Sequence, residues 1–143
     1  MSGLNDDALR LDRQLCFPLY AAARRVTGLY QPLLQPLGLT YTQYVAMLAL
    51  WEEDGLSVTR LGERLFLDSG TLTPMLKKLE QRGLITRARS AEDERVVILR
   101  LTEAGRALKE QARDIPRRAG GCVSLSPEDA LTLYRLLYQI LEQ

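Results

Sequence analysis

The sequence of 143 residues contains no histidine. That absence removes every histidine-containing zinc site and every Ser-His or Cys-His catalytic pair. Cysteine occurs only twice, at Cys16 and Cys122, so one chain cannot assemble a four-thiolate metal centre. The two lie far apart, and a reducing compartment argues against a constitutive bridge between them. No metal and no cofactor is expected, and little enzyme chemistry survives. Long apolar runs are also missing: none approaches the roughly 18 residues of a membrane span, so no membrane partner is expected. Met1-Ser2-Gly3-Leu4-Asn5-Asp6-Asp7 has neither a basic start nor an apolar stretch, which reads as no secretory signal and a cytoplasmic protein. A strong charge imbalance is lacking too. The formal net charge of +1 neither demands nor excludes nucleic acid.

What is present is an ordinary globular composition, 46% apolar and 26% charged, at a length that fits one domain. Basic residues concentrate in the central third: Lys77, Lys78, Arg82, Arg87, Arg89, Arg95, Arg100 and Arg106. Glu52, Glu53 and Asp54 form an acidic knot just upstream. A basic face on a nearly neutral chain suits a DNA binder with an otherwise acidic surface.

Periodicity supplies the architecture. Leu11, Leu15, Leu19, Ala22, Val26 and Leu29 recur at steps of three and four, predicting a long helix from about 9 to 34, with Pro18 marking a kink or a helix start. Pro32, Pro36 and Gly38 are expected to end it. Thr40 can cap a second helix, from Tyr41 to about Glu53, that is apolar almost all round and so belongs in a core or an interface. Asp54-Gly55 stops it. Ser57 then caps a short helix carrying Val58, Leu61 and Leu65. A tight connection through Phe66-Leu67 leads to Asp68, the cap of a further helix to about Arg82, with Gly83 behind it. Two short helices joined by a tight turn are the helix-turn-helix signature.

The period then changes to two. Leu84–Arg89 and Val96–Leu101 alternate around a charged turn, predicting a β-hairpin. Thr102 opens another helix, to roughly Ala119, which Gly120-Gly121 breaks. Ser126-Pro127-Glu128-Asp129 is a capped start for a last helix to Leu141. The expected fold class is mainly α with a small β-hairpin wing, a winged helix-turn-helix.

On the helix after Asp68, Leu72, Met75, Leu76 and Leu79 form one apolar face. The other carries Gly70, Pro74, Lys77 and Gln81, flanked by Ser69, Thr71, Thr73 and Lys78. Small hydroxyls can reach base edges or phosphates, and lysines contact the backbone, as a major-groove reader requires. Pro74 is tolerable only if this helix starts near Gly70. The hairpin tip offers Arg95 to a minor groove, and Arg87 and Arg89 complete a basic wing. Asp93, an acid that would repel phosphate, reads as orienting Arg95. Taken singly, such a helix face or charged turn is solvated surface; the conjunction of capped helix pair and basic hairpin points to double-stranded DNA.

The stretch Leu67-Asp68-Ser69-Gly70-Thr71-Leu72-Thr73-Pro74-Met75-Leu76-Lys77-Lys78-Leu79-Glu80, with Gly83-Leu84-Ile85-Thr86-Arg87 and Asp93-Glu94-Arg95, closely resembles the MarR family. The resemblance covers nearly the whole chain. It implies an intertwined homodimer on a pseudo-palindromic operator, with dimerisation helices at about 9–37 and 102–142 and a DNA-binding lobe at about 41–101. A dimer also makes physical sense of two apolar terminal helices that one small domain could not both bury.

Within that family, Gln14-Leu15-Cys16-Phe17 and Gly38-Leu39-Thr40-Tyr41-Thr42-Gln43-Tyr44 are similar to the organic hydroperoxide resistance regulators. The resemblance implies a peroxidatic Cys16, hydrogen bonds to it from Tyr30 and Tyr41, and Tyr20 as a third pocket tyrosine. It also implies Cys122 as the resolving residue that bridges Cys16 across the dimer, the alternatives being an external thiol or an incidental surface cysteine. The chemistry has its own rationale: a thiolate attacks peroxide, an ordinary thiol is mostly protonated at neutral pH, and no Lys or His lies a helical turn from Cys16. Activation then has to come from hydrogen bonds to sulfur and a helix N-terminus. Apolar Leu15, Phe17 and Leu19 suit a lipid-like or aryl hydroperoxide, which would take Cys16 to a sulfenic acid. A cysteine in an apolar helix can equally be inert packing. Two further readings compete: a MarR-type repressor released by a small phenolic or aromatic ligand, and a thiol peroxidase, in which the reading helix and wing would have no role.

Overall fold

The computed structural model describes residues 6–143; residues 1–5, the first part of the segment read for a secretory signal, lie outside the described residues. Seven α-helices and one antiparallel hairpin are present among the described residues. The long first helix starts later than its apolar spacing predicts. Asp6–Leu9 and Leu11–Arg13 form single 3₁₀ turns, and α1 runs from Cys16 to Leu34. Extended backbone at Arg10 and Gln14 separates these pieces, and the Gln14 side-chain amide donates to the Ala8 and Arg10 carbonyls at 2.7 and 2.9 Å. Pro18 then falls in the first turn of α1, where a missing N–H costs nothing.

α1 ends at Leu34, where the sequence pattern expects it, with Pro32 inside its last turn. The helix continues to Leu34 because that last turn buries Leu34, 1% exposed, in the core. Pro32 merely withholds a donor from the carbonyl of Gly28, one turn earlier. A 3₁₀ turn, Gln35–Leu37, and Gly38 at φ 68° complete the stop.

Five of the six following helices start on side-chain caps. Thr40 and Gln43 form a reciprocal capping box on α2 (Tyr41–Glu52). Ser57 accepts from the Arg60 N–H on α3 (Val58–Leu65), Asp68 from Thr71 on α4 (Ser69–Gln81), and Ser126 from Asp129 on α7 (Pro127–Leu141). Strands β1 (Ile85–Arg89) and β2 (Val97–Leu101) pair antiparallel with Arg87 opposite Leu99. A bridge between Ser57 and Ile98, and the Leu99 N–H donating to Leu56 at 2.8 Å, fasten this hairpin to the segment before α3.

The helix expected from Thr102 to Ala119 is two helices, α5 (Glu103–Ala112) and α6 (Ile115–Gly120). Pro116 is the cause: it cannot donate to Ala112, so the chain turns at Arg113-Asp114 and restarts. Thr102 caps α5 and donates to the Gly83 carbonyl at 2.6 Å. Gly105 lies so close to the Leu84 carbonyl that a Cβ would overlap it. Trp51 Nε1 donates to the Gly105 carbonyl at 2.8 Å, which ties α2 to α5.

One core joins Leu34, Met47, Leu50, Leu61, Leu72, Leu76, Leu79, Ile85 and Leu99. It holds α4 by its apolar face and leaves the opposite face open. Two regions lie outside it. No residue of α7 is buried, and Leu15, Phe17, Leu19 and Tyr20 are exposed.

Candidate nucleic-acid interface and redox site

The turn before α4 is set by close packing. Phe66 adopts a left-handed conformation (φ 55°), the one non-glycine residue with positive φ among those described. The Leu67 N–H then returns to the Gly62 carbonyl at 3.0 Å. A Cβ at Gly62 would stand 2.8 Å from the Leu67 carbonyl oxygen and 3.0 Å from Leu72, so glycine is what lets α3 and α4 approach. Asp68 Oδ1 accepts from the Thr71 N–H at 2.8 Å. That backbone bond, seconded by the Thr71 side chain, holds the Asp68 carboxyl below the usual carboxylate range.

With Leu72, Met75, Leu76 and Leu79 buried, the structure places Ser69, Gly70, Thr71, Thr73, Pro74, Lys77 and Lys78 together on the exposed side of α4. Thr73 Oγ1 donates to the Ser69 carbonyl at 2.8 Å, so its hydroxyl faces any partner as an acceptor. The helix starts at Ser69, so Pro74 lies just beyond its first turn and withholds a donor only from the Gly70 carbonyl.

The wing arginines have distinct settings. Arg87 is one-quarter exposed, and its side chain and backbone N–H both donate to the Glu80 carboxylate, at 3.1 and 3.2 Å. This pairing, the guanidinium first, holds Glu80 below its ordinary range and pins the wing to α4. Arg89 donates to the Glu94 carbonyl at 2.6 Å. Arg95 projects with its side chain 90% exposed, gripped by Asp93 through Nε (3.1 Å), Nη2 (3.2 Å) and its own N–H (3.0 Å). Asp93 is held below its usual range by that guanidinium and then by the Arg95 N–H. Its carboxylate aims the arginine.

Cys16 is the first residue of α1 and is exposed. It sits at the helix end that carries free N–H groups and partial positive charge. Tyr20 lies one turn on, exposed, with Arg24 stacked at 5.2 Å from its ring centroid. Tyr30 and Tyr41 meet edge-to-face at 5.0 Å, and Tyr44 joins them at 5.8 and 6.3 Å. Burial, and then the neighbouring phenols, push Tyr41 up and Tyr44 up to about 12, so both keep their protons at neutral pH and can donate. Fourteen residues of continuous helix separate Cys16 from Tyr30, roughly 21 Å at 1.5 Å per residue. The hydrogen bonds expected from Tyr30 and Tyr41 to Cys16 are therefore not made within one chain. Cys122, exposed in the turn after α6, directs its thiol to the Arg118 carbonyl at 3.4 Å.

Comparison with known proteins decides the class. A family model described as transcriptional regulator SarA/Rot matches residues 28–112. The organic hydroperoxide resistance transcriptional regulator of Bacillus subtilis is 55% identical over 136 residues, 95% of this chain and 92% of that protein. Overoxidized AbfR bound to DNA superposes with a TM-score of 0.78 at 35% identity, covering 97% of this chain and 98% of the other. The disulfide form of AbfR, a Staphylococcus epidermidis protein, does so at 0.66 and 35%, over 99% of each chain. The chain belongs to the MarR/SarA-type transcriptional regulators, in the organic hydroperoxide resistance branch. It is a regulator and not an enzyme.

For this MarR-type regulator, sequence reasoning passed over several residues. Tyr44 reads as core, yet it completes the phenol cluster; its spacing of three from Tyr41 was the available signal. Glu80 has no local signal as the partner of Arg87. Neither does Arg82, whose guanidinium reaches the Leu37 and Gly38 carbonyls. No described helix is long and apolar enough to cross a membrane.

Proposed function

We propose that the chain is a homodimeric repressor that binds a pseudo-palindromic DNA operator when Cys16 is reduced and releases it when an organic hydroperoxide oxidises Cys16. The observation that carries this reading is the position of Cys16. It is exposed beside Leu15, Phe17 and Tyr20, on apolar surface that a single chain leaves uncovered along with α7. A second copy is needed to cover that surface. The same copy can bring its Tyr30, Tyr41 and Tyr44 cluster to a sulfur that lies too far from its own.

In the proposed chemistry the Cys16 thiolate attacks one peroxide oxygen. The O–O bond breaks, sulfur becomes a sulfenic acid, and the departing alkoxide takes a proton to become the alcohol. Cys122 then displaces hydroxide from that sulfenic sulfur, which leaves as water with the thiol proton, and a disulfide spans the dimer. Repositioning one end of each terminal helix changes the separation of the two α4 helices, which two half-sites hold at about one duplex turn, roughly 34 Å. Ser69, Gly70, Thr71, Thr73, Pro74, Lys77 and Lys78 face the major groove and Arg95 the minor groove, with Arg89 near the phosphates. Arg87 and Asp93 act by holding the wing and Arg95. Relatives named for hydroperoxide resistance or solved in oxidised and DNA-bound forms support the redox class. The protein acts in the cytoplasm.

The test uses a duplex selected by the reduced protein from a random pool. Wild type should lose that duplex on adding cumene hydroperoxide, and Cys16→Ser should keep it; release by Cys16→Ser would sink the sensing role. On non-reducing gels, a peroxide-induced dimer band absent in Cys122→Ser marks the intersubunit bridge, and its absence in wild type points to an external thiol.

A second reading has one observation in its favour. An open cleft beside Tyr41, lined also by Arg24, Thr27 and Gln31, offers a cation, amides and a phenol to a small aromatic acid. Thermal stabilisation by such acids in the peroxide-blind Cys16→Ser protein would support it.

A further inference from the structure

Arg82 caps the C-terminus of α4 directly after Gln81, and its guanidinium crosses to a distant turn. Nη1 donates to the Gly38 carbonyl at 2.5 Å and Nη2 to the Leu37 carbonyl at 2.9 Å. Those carbonyls belong to the stop between α1, which carries Tyr30, and α2, which carries Tyr41 and Tyr44. The turn is itself anchored, since Leu37 and Leu39 on either side of Gly38 are each 6% exposed. Gly38 has φ 68°, and a Cβ there would come 2.9 Å from Arg82 Nη2 and 3.1 Å from Cζ. The guanidinium thus fills space that only glycine leaves free. Planar, with donors in a fixed fork, it transmits a shift of either carbonyl in a way a single flexible ammonium does not.

Two residues earlier, on α4, Glu80 holds the wing through Arg87. The last turn of the reading helix is therefore gripped from two sides, by the wing and by the tyrosine-bearing turn. The geometry points to Arg82 as a positioning residue that couples the tilt of α4 to the tyrosine cluster. The direction of signalling rests on the redox reading above. The coupling itself does not, because a coupling free energy between two sites is reciprocal: DNA on α4 stiffens the tyrosine-bearing turn in fully reduced protein.

Amide hydrogen exchange of the reduced protein, with and without the selected duplex, tests this. In wild type, DNA is expected to slow exchange at residues 35–41 by about fivefold, the low end of ordinary coupling. Arg82→Met keeps the aliphatic stem and loses the donors; protection at 35–41 should vanish while that of 69–81 remains. Arg82→Lys keeps the charge but cannot serve both carbonyls, and should lose about half of the effect; it decides the question if the Met variant melts early. Unchanged protection at 35–41 in either folded variant, or none in wild type, overturns the coupling. In parallel, the ratio of operator Kd after and before cumene hydroperoxide should fall toward one in Arg82→Met. A wild type indifferent to peroxide removes the redox reading and leaves the exchange result standing.

Discussion

Tyr44 is 3% exposed and touches both Tyr30 and Tyr41. Burial of its ring withdraws water from the phenolate, and two neighbouring phenols add repulsion, so the phenol titrates near 12 instead of 10. Folded protein thus binds this proton more tightly than unfolded chain. The stabilisation is complete below about pH 10 and is lost as pH rises to about 12. That rise corresponds to roughly 3 kcal/mol at most. Urea unfolding from pH 9 to 12 should show a steeper decline for wild type than for Tyr44→Phe; parallel curves would mean the phenol is not tuned by its burial. The same chemistry keeps the cluster a hydrogen-bond donor through the physiological range. Cys16, by contrast, stands exposed at a helix start, away from that cluster.

The wing shows how an element converts local pairs into a directed surface. Ser90 N–H to Val96 at 2.7 Å and Val96 N–H to Asp93 at 3.0 Å close its tip, Asp93 orients Arg95, and Glu80 moors Arg87 to α4. Fully projecting Arg95 makes no contact with the core, so its loss should cost binding and not folding. Arg95→Ala is expected to weaken operator affinity about tenfold, in line with the 1–3 kcal/mol of a specific arginine contact, with an unchanged melting temperature. Asp93→Asn should give a smaller loss, because the arginine remains but is no longer held. Equal affinities for all three proteins, by fluorescence anisotropy at fixed salt, would remove the wing from recognition. The element also shows where short-range reasoning is sound. Caps at Thr40, Ser57, Asp68, Thr102 and Ser126 act over three residues, and the sequence displays both partners of each.

At the scale of the molecule, the unsatisfied part is α7. Leu133, Leu136 and Ile140 are 45, 44 and 52% exposed at helical spacing, and Phe66 in the helix-turn-helix turn reaches Tyr138 at 6.3 Å. An apolar helix face of this kind, like exposed Leu15 and Phe17, is covered by a second copy in the proposed dimer. A charge there would be desolvated on association, so Leu136→Glu should yield monomers by sedimentation and lose high-affinity operator binding, since one half-site remains. A stable Leu136→Glu dimer would place the interface elsewhere.

Sequence alone determined the order of elements, their caps, the apolar face of α4 and the residues of its open face, because each depends on neighbours within one or two turns. It placed the start of α1 too early and its end, Leu34, correctly. Pro32 costs a helix about 3 kcal/mol in isolation, but burying Leu34 in the shared core outweighs that, and burial is a property of the assembled fold. The break at Pro116 was written locally and overlooked. Which residues share a site was decided by tertiary structure. Tyr30, Tyr41 and Tyr44 converge because α1 and α2 fold back on each other. Cys16 stands apart from them because α1 is one unbroken rod, and Arg82 meets Leu37 and Gly38 across more than 40 residues of chain. Such distances follow from packing, where the free energy is shared among many side chains and no local pattern encodes the pair.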